Sequence, residues 1–293
     1  MRETFVCLDV GGTEIKAASV DGDGRLRGKI RFYPARADEN AGVLLEHMAG
    51  IIRGHMLPDM DIRGIRLAFP GPFDYEEGIC LLQGLGKYDK LYGINLRREL
   101  AGLLKADEGT ILFANDASAF ALGEMGFGAA KGAARALFIC IGTGCGSAFG
   151  AEGRLVSSGM SGVPDKGYLY NMPFLDGCVD DYLSRRGLMR LTQERLGIAL
   201  DGKALALRIR QGDIAAEQCF MVFGERVRDA LLPFLDSFLP ETLCFGGQIT
   251  ASASMFLGPV EEACKERGIR LYVTQDTSLR TLQGLIRIER NIF

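Results

Sequence analysis

The chain has 293 residues, 47% of them apolar, and 34 Lys and Arg against 37 Asp and Glu give a formal charge of −3; this composition excludes disorder and predicts a large core divided over two domains. Its basic residues are scattered (Arg25, Arg27, Lys29, Arg31; Arg97, Arg98) rather than gathered with aromatics, so nucleic acid and anionic membrane are not expected partners. No apolar run approaches the roughly 18 residues of a membrane span, and Met1-Arg2-Glu3-Thr4 leads into a strand without a signal-peptide core, so a cytoplasmic location is expected.

In chain order, strands are predicted over Thr4–Asp9, Glu14–Val20 and Arg25–Phe32, joined by a glycine turn and by Asp21-Gly22-Asp23-Gly24, an antiparallel meander with hairpin chemistry in its second turn. A helix over Ala41–His55, an apolar strand Gly64–Phe69, a Pro-Gly-Pro loop, a helix over Leu96–Lys105 and a strand Thr110–Ala114 follow. Such alternation calls for an α/β layer fold. The pattern then restarts: strand Arg135–Ile141, glycine turn Gly142–Gly146, strand Ser147–Gly150, a turn, and Arg154–Ser157. After residue 178 the chain turns helical, and Glu217–Leu239 has too many apolar positions for one stripe, so that helix is expected to be largely buried. Thr242–Phe245 and Leu271–Thr274 read as short strands, Ala251–Arg267 and Thr277–Ile288 as helices. The eight cysteines, in runs such as Phe5-Val6-Cys7-Leu8 and Phe138-Ile139-Cys140-Ile141, read as reduced core residues.

Three apolar strands end directly in glycines: Leu8-Asp9-Val10-Gly11-Gly12-Thr13, Ile141-Gly142-Thr143-Gly144-Cys145-Gly146 and Cys244-Phe245-Gly246-Gly247. Glycine lets backbone N–H groups approach a ligand in a concave nest, and the hydroxyls of Thr13 and Thr143 add contacts to phosphate oxygens. One such turn is an ordinary hairpin; two at the starts of two similar halves favour a nucleotide. No Gly-Lys-Ser/Thr of a Walker loop follows, and no helix opens after Gly12 as a dinucleotide fingerprint requires. Asp9 at a strand end is either a turn former or a carboxylate for hydrated Mg²⁺ beside phosphates, and Lys16 one strand away either offsets phosphate charge or is merely solvated. Asn115-Asp116, between an apolar strand and a helix, reads equally as a helix cap or as the place of a base for a hydroxyl nucleophile.

At these residues the chain resembles the ROK (repressor, open reading frame, kinase) family of sugar kinases, within the actin/hexokinase-like ATPase superfamily. The resemblance rests on Leu8 to Lys16, on Phe69-Pro70-Gly71-Pro72-Phe73-Asp74, on Asn115-Asp116-Ala117, on Ile141 to Ala148, and on Phe245-Gly246-Gly247. It implies two actin-like (ribonuclease H-like) α/β lobes with an ATP/sugar cleft between them. The expected lobes are 1–115, with the C-terminal helix 277–293 packing back on it, and 116–276. The implied activity is transfer of the γ-phosphate of Mg-ATP to the primary hydroxyl of a hexose or hexose derivative. By the resemblance Asp116 is the catalytic base and Asp9 holds Mg²⁺ through water. Gly11, Gly12, Thr13, Lys16, Thr143 and Gly144 face phosphates, Gly246 and Gly247 the nucleoside, and Gly71 and Asn115 the sugar. A homodimer is implied, and with the kinase motif starting at residue 9 no helix-turn-helix domain is expected before it.

The chain departs from the family in one region. Where the family has Gly-Glu-x-Gly-His and a three-cysteine cluster, this sequence has Pro164-Asp165-Lys166-Gly167-Tyr168 and Asp176-Gly177-Cys178-Val179-Asp180. A single thiolate does not make a four-coordinate zinc site, so no structural zinc is expected, and the segment Gly159–Cys178 is expected either to be held by packing of Tyr168, Tyr170, Met172 and Phe174 or to be mobile. Asp165, Tyr168 and Asp180 take the positions of family sugar contacts. Tyr88 or Tyr92, in a loop that often holds Trp in the family, offers a stacking face or packs locally. This altered region leaves open a kinase of an N-acylated or amino sugar or of a β-glucoside, or a catalytically silent sugar-binding regulator.

Overall fold

Glu3–Val10 (β1) and Glu14–Asp21 (β2) are dominated by Val, Ile, Leu and small residues suited to a buried pleated surface, and they pair antiparallel with Leu8 opposite Ala17 and Asp9 opposite Lys16. In this computed structural model the described residues are 3–56, 60–84 and 86–289. They fall into two units, one up to Gly128 together with the described residues from Ser278 onward, the other Ala129–Thr277. The predicted helix end beyond residue 289 lies outside the described residues, as does Leu85 of the glycine-rich loop.

In the first unit, β1 and β2 are joined by Arg31–Pro34 (β3) on one side and by the parallel strands Asp61–Ala68 (β4) and Ile111–Ala114 (β7) on the other, in the order β3-β2-β1-β4-β7. A small hairpin of Phe73–Asp74 (β5) and Ile79–Cys80 (β6) stands between β4 and β7 in sequence. Helices Ala41–His55 (α1) and Leu96–Leu104 (α2) are capped by Asn40 and Asn95, whose side chains accept from Val43 and Arg98 N–H groups. Their apolar faces join a core of Val6, Leu8, Ile15, Leu44, Met48, Ile52, Leu67, Phe69 and Leu100.

The third strand falls later than its sequence pattern suggests. Within the expected Arg25–Phe32, Leu26 makes only an isolated bridge to Val20, and Gly28 adopts a left-handed φ of 124° that breaks the ladder, so pairing resumes at Arg31.

The second unit repeats the order. Arg135–Ile141 (β8), Cys145–Ala151 (β9) and Arg154–Val156 (β10) form the meander; Thr242–Gly246 (β13) and Arg270–Val273 (β14) add in parallel, giving β10-β9-β8-β13-β14. A two-strand ribbon, Pro173–Phe174 (β11) with Gly177–Cys178 (β12), lies outside that sheet. The duplicated arrangement of a three-strand antiparallel meander and two parallel strands is the actin-like lobe, and the molecule is α/β with two such sheets.

Asp116–Phe127 (α3) follows β7, and Val179–Tyr182 (α4), Arg185–Leu196 (α5), Gly202–Arg210 (α6) and Ile214–Phe238 (α7) follow β12. Capped by Asp213, α7 starts three residues before the predicted start, and Phe220, Phe223, Val227, Leu231, Leu235 and Phe238 are buried along it. The single helix predicted over 251–267 is two elements, a 3-10 stretch Gln248–Met255 and the helix Gly258–Glu266 (α8), because Pro259 in the first turn cannot continue a ladder from upstream.

Thr277–Leu285 (α9) brings Ser278 onward into the first unit, where it packs on α3. Gly123 of α3 and Gly284 of α9 make this approach possible: a Cβ on Gly284 falls 1.7 Å from the Ala119 carbonyl oxygen, and one on Gly123 falls 1.9 Å from that of Arg280. Buried Glu124 pairs with Arg280 at 3.5 Å on the same contact.

Candidate active site

In the first unit the site grows from the C-terminal ends of β1, β4 and β7, where a backbone leaving the sheet exposes polar groups. Asp9, the penultimate residue of β1, is half-buried, and its carboxylate pairs with Lys16 Nζ at 3.3 Å across the β1–β2 ladder. Burial pushes the Asp9 carboxyl above its ordinary range, and the charge and hydrogen bond of Lys16 oppose that push. After β1, the Gly11 N–H is committed to the Glu14 carbonyl at 3.0 Å, while Gly12 and Thr13 are exposed. A Cβ on Gly11 falls 2.9 Å from that carbonyl oxygen, which explains glycine there.

Asn115 and Asp116 stand where β7 passes into α3. The Asn115 side chain caps the helix by accepting from the Ala117 and Ser118 N–H groups, and its amide donates to Tyr75 Oη at 3.4 Å. Tyr75 in turn donates to the Phe69 carbonyl at 2.9 Å, and its hydroxyl lies 3.4 Å from a Cβ placed on Gly71. Thus Tyr75, which sequence reasoning passed over, ties the Pro70-Gly71-Pro72 loop to Asn115; its place just after that loop was the available signal.

Asp116 is the first residue of α3, and its Oδ1 accepts from the Ala117 N–H at 2.9 Å. The side chain reaches solvent, yet most of the volume around it is protein. Desolvation first, and then the negative charge of Asp9, raise its carboxyl above the ordinary value; the Ala117 hydrogen bond and the Lys87 charge act the other way. A raised, reachable carboxyl held at a helix start is suited to receiving a proton from a hydroxyl.

Tyr88 is wholly buried, so it presents no face to a sugar. Its ring packs on Phe69 at 5.3 Å, and its hydroxyl donates to the Gly11 carbonyl at 2.8 Å. Tyr92 is exposed.

In the second unit Thr143 is exposed at the tip of the turn, and the Gly142 N–H closes on the Gly144 carbonyl at 2.9 Å. Asp180, the second residue of α4, lies against this turn. Its Oδ1 accepts from the Cys145 N–H at 2.6 Å, its Oδ2 accepts from Arg186 at 2.6 Å, and a Cβ on Gly144 falls 2.8 Å from Oδ1. Gly246 is buried at the end of β13. Gly247 adopts φ 92° with its would-be Cβ 2.3 Å from the Ile141 carbonyl oxygen, and its N–H donates to Thr277 Oγ1 at 3.1 Å.

The segment between Gly159 and Cys178 is held by hydrogen bonds as well as by packing. Ser147 Oγ donates to the Gly167 carbonyl and accepts from the Leu169 N–H, both at 2.8 Å, while Phe174 meets the Tyr182 ring edge-on at 5.4 Å. Cys178 Sγ donates to Asp181 Oδ2 at 3.1 Å. No group of three His, Cys, Asp or Glu side chains able to share a metal ion occurs among the described residues. Asp165 is exposed on the 3-10 turn Asp165–Gly167, and the Tyr168 ring lies 5.7 Å from Tyr170, whose carbonyl accepts from the Asp180 N–H at 3.0 Å.

Comparison with known proteins places this arrangement. The chain is 25% identical over 289 residues to a glucokinase of Halalkalibacterium halodurans, covering 88% of this chain and 84% of that one. It is 26% identical over 261 residues to the N-acetylgalactosamine kinase AgaK of a Shewanella species, covering 83% and 81%. Its fold matches the crystal structure of a ROK family glucokinase from Streptomyces griseus in complex with glucose and AMPPNP, with a TM-score of 0.77 at 20% identity over 98% of this chain and 99% of that one. The model of the ROK family matches residues 5–281, and the chain belongs to that family.

Proposed function

We propose that the protein is an ATP-dependent kinase that phosphorylates the primary hydroxyl of a hexose or hexose derivative. The observation that supports this best is Asp116, a solvent-reachable carboxyl with a raised proton affinity, seated at the start of α3 by the Asn115 cap and facing the charge of Asp9. The glucokinase relative supports the same substrate class.

In this reading the sugar hydroxyl oxygen bonds to the γ-phosphorus as the bond from phosphorus to the ADP oxygen breaks, and Asp116 receives the hydroxyl proton. Gly71, Asn115, Asp165 and Tyr168 orient the sugar. Gly12, Thr13, Thr143 and Gly144 face phosphate oxygens, and Gly246 and Gly247 pass the nucleoside. The resident metal expected of such a reaction is Mg²⁺. Half-buried Asp9, which belongs to no group of three possible metal ligands among the described residues, suits an ion that keeps most of its waters. Bound there, Mg²⁺ neutralises phosphate charge; Lys16 holds the Asp9 carboxylate in place at 3.3 Å.

A second reading, a kinase of an N-acylated or amino sugar, is favoured by Asp180. Both of its oxygens have protein partners, so the sugar side differs from the expected family pattern. The AgaK relative agrees with that reading. The test is ADP release from Mg-ATP over glucose, mannose, their amino and N-acetylated derivatives, fructose, allose and a β-glucoside. Sugar-dependent turnover confirms a kinase, and its ranking separates the two readings. Turnover with none of them, from protein that binds ATP, rejects both in favour of a silent regulator.

A further inference from the structure

The first glycine turn has a second cation beside it that neither motif nor resemblance assigns. Lys87 lies in the loop between β6 and α2, and its Cδ is 3.0 Å from the position of a Cβ on Gly12. The aliphatic stem therefore lies along the bare face of Gly12, in space that any side chain at position 12 would contest. The next residue fixes the stem there. Tyr88 is wholly buried with φ 57°, its N–H donates to the Ala37 carbonyl at 2.9 Å, and its hydroxyl donates to the Gly11 carbonyl at 2.8 Å. Residues 87 and 88 are thus clasped to Gly12 and Gly11 in parallel.

The two lysines at this turn differ in their commitments. Lys16 is paired with Asp9 at 3.3 Å, whereas half-buried Lys87 has no ion pair among the described residues. With the stem laid on Gly12 and no ion pair holding the ammonium among the described residues, its charge is left to meet an anionic ligand at this turn. The position of this charge says which ligand group that is, since it is clasped to the first phosphate turn and is also felt at Asp116.

The geometry points to Lys87 as the cation that meets the γ-phosphate of the nucleotide, on the side from which the acceptor hydroxyl attacks. This assignment rests on the sugar-kinase reading. As the bond between the γ-phosphorus and the ADP oxygen breaks and the bond to the sugar oxygen forms, the equatorial phosphoryl oxygens need a compensating charge. An ammonium on a flexible stem provides one and follows the group as it moves.

The experiment compares the intact wild type with Lys87→Met, which keeps the stem against Gly12, and with Lys87→Arg, by titration calorimetry with Mg-AMPPNP and with Mg-ADP. The expected result is that the preference of the wild type for AMPPNP over ADP falls by about tenfold or more in Lys87→Met, the order of one lost charge-assisted contact, with ADP affinity little changed. Lys87→Arg restores most of the preference. Where the wild type turns over a sugar, kcat for Lys87→Met falls by about 100-fold. An unchanged AMPPNP-to-ADP ratio overturns the assignment, and so does a change confined to the sugar KM. A wild type that binds AMPPNP but phosphorylates nothing defeats the kinase reading, while the binding ratio still decides the place of Lys87.

Discussion

The Asp180 carboxylate accepts the backbone N–H of Cys145 at 2.6 Å, so a side chain from the start of α4 fixes the second glycine turn from within. Its other oxygen takes the exposed guanidinium of Arg186. On the proposed reading of that turn as a phosphate contact, Asp180 acts on nucleotide only through the turn it holds. Asp180→Ala is therefore expected to raise the KM for ATP by about tenfold, the order of one lost charged hydrogen bond, and to raise the sugar KM by less. Steady-state kinetics with each substrate varied in turn measures this; an effect on the sugar KM alone would instead place Asp180 at the sugar. Arg186→Ala, which removes only a solvent-screened partner, is expected to change either constant little.

The proton affinity of Asp116 sets a pH dependence. Desolvation and the Asp9 charge raise its carboxyl. If Asp116 is the base, as proposed, it must be ionised to accept a proton, so kcat/KM is expected to fall as pH drops through that raised value, with the acid limb above the ordinary carboxylate range near 4. Removing the neighbouring negative charge in Asp9→Asn lowers the proton affinity of Asp116. The acid limb of the residual activity is then expected to move to lower pH, read from pH–rate profiles of the two proteins.

The same raised affinity has a sign for stability. A carboxyl whose folded value lies above its unfolded value is a burden on the folded state when ionised, and the burden is relieved as pH falls through the folded value towards the unfolded one. Asp116→Asn removes it. Its Tm at neutral pH is expected to equal or exceed that of the wild type, and the difference is expected to shrink as pH is lowered through the raised folded value of Asp116. A lower Tm at neutral pH would contradict this balance.

The close approach of α3 and α9 makes another prediction. With 1.7 Å between a Cβ on Gly284 and the Ala119 carbonyl oxygen, backbone must move to admit one methyl group. Gly284→Ala is expected to destabilise the protein by about 3 kcal/mol, measured by denaturant unfolding. Gly268→Ala offers a different comparison: its φ of 67° strains an alanine although no atom lies within 4 Å, and its effect is expected to be smaller, about 1 kcal/mol.

Much of the fold was legible because it is written twice in local patterns. The strand–glycine–strand openings at residues 4–20 and 135–150 obey period-2 alternation and turn chemistry, and both became the same meander. Asn115 before an apolar helix announced its cap. The third strand misled because Arg25–Phe32 has the composition of a strand, while Gly28 inside it has the backbone of a turn. The contacts of Tyr75, Lys87 and Asp180 were beyond local pattern. Tyr75 meets Asn115 across 40 residues, Lys87 meets Gly12 across a loop, and Asp180 meets Cys145 across 35 residues. Contacts of that sequence separation depend on tertiary packing, which composition and periodicity do not encode.

The most direct test is sugar-dependent ADP release by the wild type and by Asp116→Asn, at saturating Mg-ATP and with folding and AMPPNP binding checked for both. Turnover by the wild type that falls by about 100-fold or more in the variant, with AMPPNP affinity unchanged, is the result predicted for loss of a base. A variant that retains wild-type turnover would contradict the account, since the proton of the attacking hydroxyl would then leave by another group.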